Sequence, residues 1–207
     1  MKLASGLNFG CVVAALFLAF GLVAGDASAQ NLLVNPGFED GNLTGWVLAG
    51  ESGSSSVSVV ADNGPTEIGT NAAFLDNQAE AVGLTMKQTT APGSGGDGTV
   101  YYSFDLKLGQ AALGGVFFVE IFAEQIGVGI VGGSGLLGNY APADWTNFSG
   151  QFEAPVGTDF FTIQFTAVTG ATVGSTSTMY VDNVDLNQGG SVPTGTKSVG
   201  TLKAIHN

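Results

Sequence analysis

From Val100 to Leu108 every second residue is apolar: Val100, Tyr102, Phe104, Leu106 and Leu108 share one parity, and Tyr101, Ser103, Asp105 and Lys107 the other. Successive side chains of an extended strand point to opposite faces, so this pattern describes a strand with one face in a core and one in solvent. The period recurs along the chain. Val57, Val59 and Ala61 form one stripe, as do Val82, Leu84 and Met86, which alternate with Gly83, Thr85 and Lys87. Phe117, Val119, Ile121 and Ala123 form another, against Val116, Phe118, Glu120, Phe122 and Glu124. Phe148, Phe152 and Ala154 follow until Pro155 ends the run, and then Phe161, Ile163, Phe165 and Ala167 until Gly170. Gly, Ser, Asn, Asp and Pro separate the runs, and residues 126–143 are Gly-rich, with room for one more strand around Val128 to Val131. Nine or so short strands with no helix demanded between them predict an all-β fold, a two-sheet antiparallel β-sandwich of jelly-roll type.

The first 29 residues stand apart from this body. Lys2 supplies a positive start, Cys11 to Val23 is apolar, and Ala27-Ser28-Ala29 offers small residues for cleavage. That is the layout of a signal peptide, which predicts a secreted, extracellular or cell-surface protein whose mature chain starts near Gln30. The apolar run is short for a membrane span and Asp26 follows it, so no membrane insertion is expected after cleavage. Residues 30–187 form the expected sandwich, and residues 188–207, where the alternation is lost, a flexible tail. Cys11 is the only cysteine, so the mature body can hold no disulfide.

Charge narrows the partners. The chain has five basic residues, all lysine, against 17 acids, a net charge of −12. Setting aside Asp26 in the leader, and Lys2, Lys197 and Lys203 at the two ends, leaves the body with 16 acids and two lysines. Such a surface repels phosphate backbones, which argues against nucleic acid as a partner. It suits a hard cation, though acidity for solubility alone gives the same count.

Two motifs frame the body. It opens with Asn31-Leu-Leu-Val-Asn-Pro-Gly-Phe-Glu-Asp-Gly, in which Leu32, Leu33 and Val34 read as a strand. Pro36-Gly37 reads as a turn that hands over Glu39 and Asp40, and Trp46 opens the next apolar run. The body closes with Met179-Tyr-Val-Asp-Asn-Val-Asp-Leu186, where the apolar parity slips between Val181 and Val184 and so predicts a β-bulge near Asp182-Asn183. These ends, together with Thr99-Val-Tyr-Tyr-Ser-Phe104 and Trp145-Thr-Asn-Phe-Ser-Gly-Gln-Phe-Glu-Ala-Pro155, resemble the carbohydrate-binding modules attached to bacterial xylanases and cellulases. Those modules are a branch of the galactose-binding-like β-sandwiches, and the resemblance covers about residues 31–187.

The resemblance implies that the first and last strands are neighbours. Glu39 and Asp182 would then meet, with carbonyls of the 35–41 turn beside them, as ligands of a structural Ca²⁺ that ties down ends no disulfide holds. The alternative is that Glu39 caps nearby N–H groups and Asp182 is a solvated strand-end acid. The resemblance also implies a poly- or oligosaccharide ligand. Sugars stack their apolar faces on aromatic rings while amides and carboxylates bond their hydroxyls. Trp46 and Trp145 stand where the family uses tryptophan in its core. Tyr101, Phe118, Phe122 and Tyr140 are therefore the candidate platforms, with Asp105, Glu120, Glu124 and Gln164 as polar partners. Phe118 and Phe122 could instead form an apolar surface covered by residues 126–143.

An enzyme is not expected. The sole histidine, His206, lies in the tail, and a Ser-His-Asp triad or a zinc site needs one in the body. Glycosidases need two carboxyls about 5–9.5 Å apart, whereas Glu120 and Glu124 on one strand stand about 13 Å apart along the backbone. Glu120 across from Asp105 stays open as a closer pair. The competing function is a surface or matrix adhesion protein that uses the same sandwich for protein contacts.

Overall fold

A computed structural model describes residues 30–61, 71–139 and 142–189; the expected signal peptide, Tyr140 and nearly all of the expected tail lie outside these residues. Among the described residues ten strands form: β1 (Val47–Ala49), β2 (Ser55–Ala61), β3 (Asn71–Asn77), β4 (Gly83–Thr89), β5 (Gly98–Ala112), β6 (Val116–Gln125), β7 (Gly129–Asn139), β8 (Thr146–Ala154), β9 (Phe160–Val168) and β10 (Thr176–Gln188). They build two five-stranded sheets, ordered β1-β4-β9-β6-β7 and β2-β3-β10-β5-β8. Every pairing is antiparallel. The predicted all-β sandwich is the fold.

The period-two stripes meet between the sheets. Leu84 and Met86 from β4, Phe117, Val119 and Ile121 from β6, and Phe161, Ile163 and Phe165 from β9 face Leu75, Val100, Phe104, Leu106, Met179 and Val181. Phe165 lies edge-on to Phe104 at 5.6 Å and beside Trp46 at 6.0 Å, joining the two layers with aromatic contacts.

Three local expectations change. Asn71–Asn77 is a strand that the alternation hides, because Ala72 and Ala73 are both fully buried and so erase the two-sided pattern. Leu32 to Val34 is extended but is not a strand. Leu32 donates to the Leu186 carbonyl at 2.8 Å, and the Asn31 amide occupies the neighbouring ladder positions by accepting from Leu33 and Leu186 and donating to Val184. Gln88, on the other sheet, clamps Val34 with one bond in each direction, 2.6 and 2.9 Å. The opening segment is thereby fastened to both layers. Residues 129–139, finally, form edge strand β7 beside β6 rather than a cover over it.

The bulge lies where the parity slip places it. Asp182 pairs with Asp105 and Asp185 with Ser103, so three steps on β10 face two on β5, and Asn183 takes a φ of 46°. The slip lets Met179 and Val181 before it, and Val184 and Leu186 after it, all point into the core.

Candidate functional site

The two outer faces carry the polar chemistry, and they are different surfaces. On the first sheet, Phe118, Glu120, Phe122 and Glu124 are the outward residues of β6, each half-buried between the fully buried Phe117, Val119, Ile121 and Ala123. Gln164 of β9 pairs in register with Glu120, and Lys87 of β4 with Gln164, so one row reads Lys87, Gln164, Glu120 across three strands. Gln164 Nε2 donates to Glu120 Oε2 at 2.7 Å. The flanking rows bring Thr85 to Thr166 at 3.1 Å and Thr89 to Thr162 at 2.8 Å, and the Thr162 hydroxyl donates to Glu124 Oε1. The face thus presents two rings, two carboxylates, an amide, an ammonium and a set of hydroxyls on a rigid sheet.

Tyr101 and Asp105 do not belong to it. They are outward residues of β5, in the second sheet, so the expected grouping of Tyr101 and Asp105 with Phe118, Glu120 and Phe122 is corrected. The reason is topological: β5 and β6 are consecutive in sequence, but the chain crosses between layers at the Leu113-Gly114 turn. The Glu120–Asp105 pair left open by the sequence is ruled out on the same ground, and Tyr140 lies outside the described residues.

On the second sheet, the outward residues gather into two groups. One is a row across the strands, Phe74 paired with Tyr180 and Tyr180 with Lys107. The Phe74 and Tyr180 rings stack at 4.5 Å, and the Lys107 ammonium lies 4.5 Å from the Tyr180 ring centre and 5.3 Å from that of Trp145. Trp145 is therefore a half-buried outer-face residue and not the core residue its position implied, whereas Trp46, only 7% exposed, is core. Lys107 thus makes cation–ring contacts with both Tyr180 and Trp145, and Phe74, Lys107, Trp145 and Tyr180 are each half-buried.

The other group surrounds Asp182, which is 1% exposed. Its Oδ1 accepts from the Asn183 backbone at 2.7 Å, while Asn183 Nδ2 donates to Asp105 Oδ2 at 2.9 Å and Asn147 Nδ2 to Asp105 Oδ1 at 2.8 Å. The 35–41 turn abuts this group: a side-chain carbon added at Gly37 would lie 3.7 Å from Asp182 Oδ1 and 3.9 Å from Glu39 Cγ. Pro36 accepts from Val184 N at 3.0 Å, and Glu39 Oε1 accepts from Asn71 N at 3.1 Å. The turn that carries Glu39 thus lies against Asp182, with Asp105 beside it, and Glu39 caps an N–H as the alternative reading had it. Burial first, and then the charges of Asp105 and Glu39, push the Asp182 carboxyl up to about 7, against the opposing pull of the Asn183 N–H. Asn35, Phe38 and Asn183 are three of the five non-glycine residues with positive φ among the described residues, and all three flank this group. Backbone strain of this kind concentrates at functional sites.

The donor set is all oxygen, which suits a hard cation, and one would relieve the like-charge crowding at Asp182. Among the described residues no three His, Cys, Asp or Glu side chains are spaced to hold a metal by themselves. Both oxygens of Asp105 are held, by Asn147 and Asn183. A cation here would draw part of its shell from backbone carbonyls.

The sequence could have yielded Lys87, Thr85 and Gln164 as one face, since they occupy the polar parity of their runs. It held no signal for which strands lie side by side.

No protein-family model matches the chain, and no curated protein matches it. Solved structures do share its fold. A family 61 carbohydrate-binding module in complex with β-1,4-galactotriose superposes with a TM-score of 0.56 at 17% identity, covering 77% of this chain and 99% of that one. A family 22 xylan-binding domain from Paenibacillus barcinonensis gives a TM-score of 0.54 at 15% identity, over 80% of this chain and 98% of that one. The enzymatically active domain of tailspike protein 4 of bacteriophage CBA120 gives 0.61 at 14% identity, over 76% of this chain but only 21% of the tailspike chain. At these identities the likeness is one of fold.

Proposed function

We propose that this chain is a secreted, non-catalytic carbohydrate-binding module that holds a poly- or oligosaccharide on the outer face of the β1-β4-β9-β6-β7 sheet. One observation carries the reading: Phe118 and Phe122 flank the Glu120–Gln164 pair on that face, with Lys87 in the same row. Aromatic rings supply apolar area for the faces of sugar rings, and the fixed amide, carboxylates and hydroxyls supply bonds for their rims. Because Gln164 and Thr162 orient Glu120 and Glu124, little side-chain freedom is left to lose on binding. That the family 61 and family 22 structures with this fold are carbohydrate-binding modules supports the same ligand class. Tyr101, whose face lies on the opposite sheet, takes no part in this site.

A structural Ca²⁺ belongs to the same proposal. Glu39 and Asp182, with carbonyls of the 35–41 turn and Asp105 behind them, would hold it, and it would supply the positive charge that buried Asp182 lacks. Its place is remote from the glycan face, so its role is to fasten the opening segment to β10.

Affinity electrophoresis through gels containing galactan, xylan or glucomannan tests the glycan reading. At least one polysaccharide should retard the protein. Phe122→Ala should weaken that retardation by about 1–3 kcal/mol, the scale of a desolvated aromatic contact, with the circular dichroism spectrum unchanged. No retardation in any gel, or full retardation of the Phe122 variant, would contradict it.

A further inference from the structure

Within the proposed glycan face, the segment Glu120–Phe122–Glu124 carries more negative charge than neutral sugars require. The three side chains alternate with buried ones on β6 and so stand on one face, with Phe122 about 6.6 Å along the backbone from each acid. Neighbours on β9 fix both carboxylates through one oxygen each: Gln164 holds Oε2 of Glu120, and Thr162 holds Oε1 of Glu124. On the other side of Phe122 the partner in register is Gly133 of β7. A side-chain carbon there would fall 2.2 Å from the Ile121 carbonyl oxygen, so position 133 puts no side chain beside the ring. No residue of β1, β7 or β9 is ionisable. Among the described residues Lys87 is the one cation of this face, two strands from β6, or about 9.6 Å away.

We infer that this surface selects glycans bearing protonated amines, with the ammonium seated at the Phe122 ring between the Glu120 and Glu124 carboxylates. The inference deepens the glycan-binding reading and rests on it. An ammonium over a ring face is attracted by the ring quadrupole, and the carboxylates on either side add Coulombic attraction that a neutral hydroxyl or acetamide does not draw. The net charge of −12 raises the local concentration of a cationic ligand and lowers that of a uronate polymer.

Two oligomers of one backbone isolate the effect: a β-1,4-linked glucosamine hexamer and its fully N-acetylated counterpart, titrated calorimetrically in low and high salt. The amine form should bind about tenfold more tightly or better at low salt, the scale of a partly desolvated cation–ring contact. Glu120→Gln and Glu124→Gln should each remove most of that preference, weakening the amine form by a larger factor than the acetylated form. Glu153→Gln, on exposed β8 of the other sheet, should change neither. Equal or tighter binding of the acetylated form overturns the inference, as does a preference that survives both β6 substitutions or falls equally with Glu153→Gln. If neutral polysaccharides bind through Phe122 and glucosamine does not, this inference fails while the glycan-binding reading stands. If no glycan of either kind binds, both fail.

Discussion

Asp182→Asn, studied in chelator, is the perturbation whose size the geometry fixes best. The wild-type carboxyl is 1% exposed and faces Asp105 and Glu39, which raises it from the ordinary 3.8 to about 7. In metal-free protein the folded state therefore holds its proton more tightly than the unfolded chain does. Stability from this group is fully present below about pH 4 and is lost as pH rises through about 7. A difference of about three pH units at about 1.4 kcal/mol each makes the loss about 4 kcal/mol, an order-of-magnitude figure. Urea denaturation at a series of pH values from 4 to 8.5, with chelator throughout, should show wild-type stability falling across that range. Asp182→Asn retains the oxygen that accepts from Asn183 N but cannot ionise, so its profile should be flatter by about that amount. General repulsion among the other acids is common to both proteins and cancels in the difference. Excess Ca²⁺ should restore wild-type stability at pH 8 and do little for the variant, since a ligand specific to the folded state stabilises only where it binds. Parallel pH profiles for the two proteins would refute the account of the Asp182 group.

Three further outcomes follow. Gln88→Leu removes both part-buried bonds to Val34, which at about 0.5–1.5 kcal/mol each should cost about 1–3 kcal/mol by thermal denaturation and speed amide exchange in residues 32–36. Gly115→Ala places a carbon 1.7 Å from the Thr176 carbonyl oxygen at the β5–β6 turn, and the forced backbone shift should destabilise by about 1–3 kcal/mol in urea titration. Lys107→Met keeps the aliphatic stem between Tyr180 and Trp145 but loses the ammonium, so stability should drop by about 0.5–2 kcal/mol while glycan affinity on the opposite sheet is unchanged.

The sandwich was legible because its strands are half-buried: a core on one side writes period two into residues such as Val100 to Leu108 and Phe161 to Ala167. Legibility failed where that asymmetry fails. Ala72 and Ala73 of β3 are buried on both faces, and the opening segment is held by the amides of Asn31 and Gln88 rather than by a ladder. The bulge at Asp182-Asn183 could be read because it shifts the parity of a core-facing strand, whereas the approach of Glu39 to Asp182 came only from the family resemblance. The composition of the glycan face was only half legible. Phe118, Glu120 and Phe122 share a strand and needed only parity, but Tyr101 and Asp105 required knowing that β5 and β6 lie in different layers. Trp145 misled for a related reason: it stands one residue before β8 begins, where strand parity does not yet govern its direction.

Amide chemical-shift mapping with the best-retained polysaccharide fragment addresses the central claim most directly, because it reports which of two opposite faces meets the glycan. The account predicts that the perturbed amides cluster at Lys87, Phe118, Glu120, Phe122, Gln164 and their neighbours on β4, β6 and β9. Perturbations centred instead on Tyr101, Lys107, Trp145 and Tyr180, with β6 and β9 silent, would contradict it.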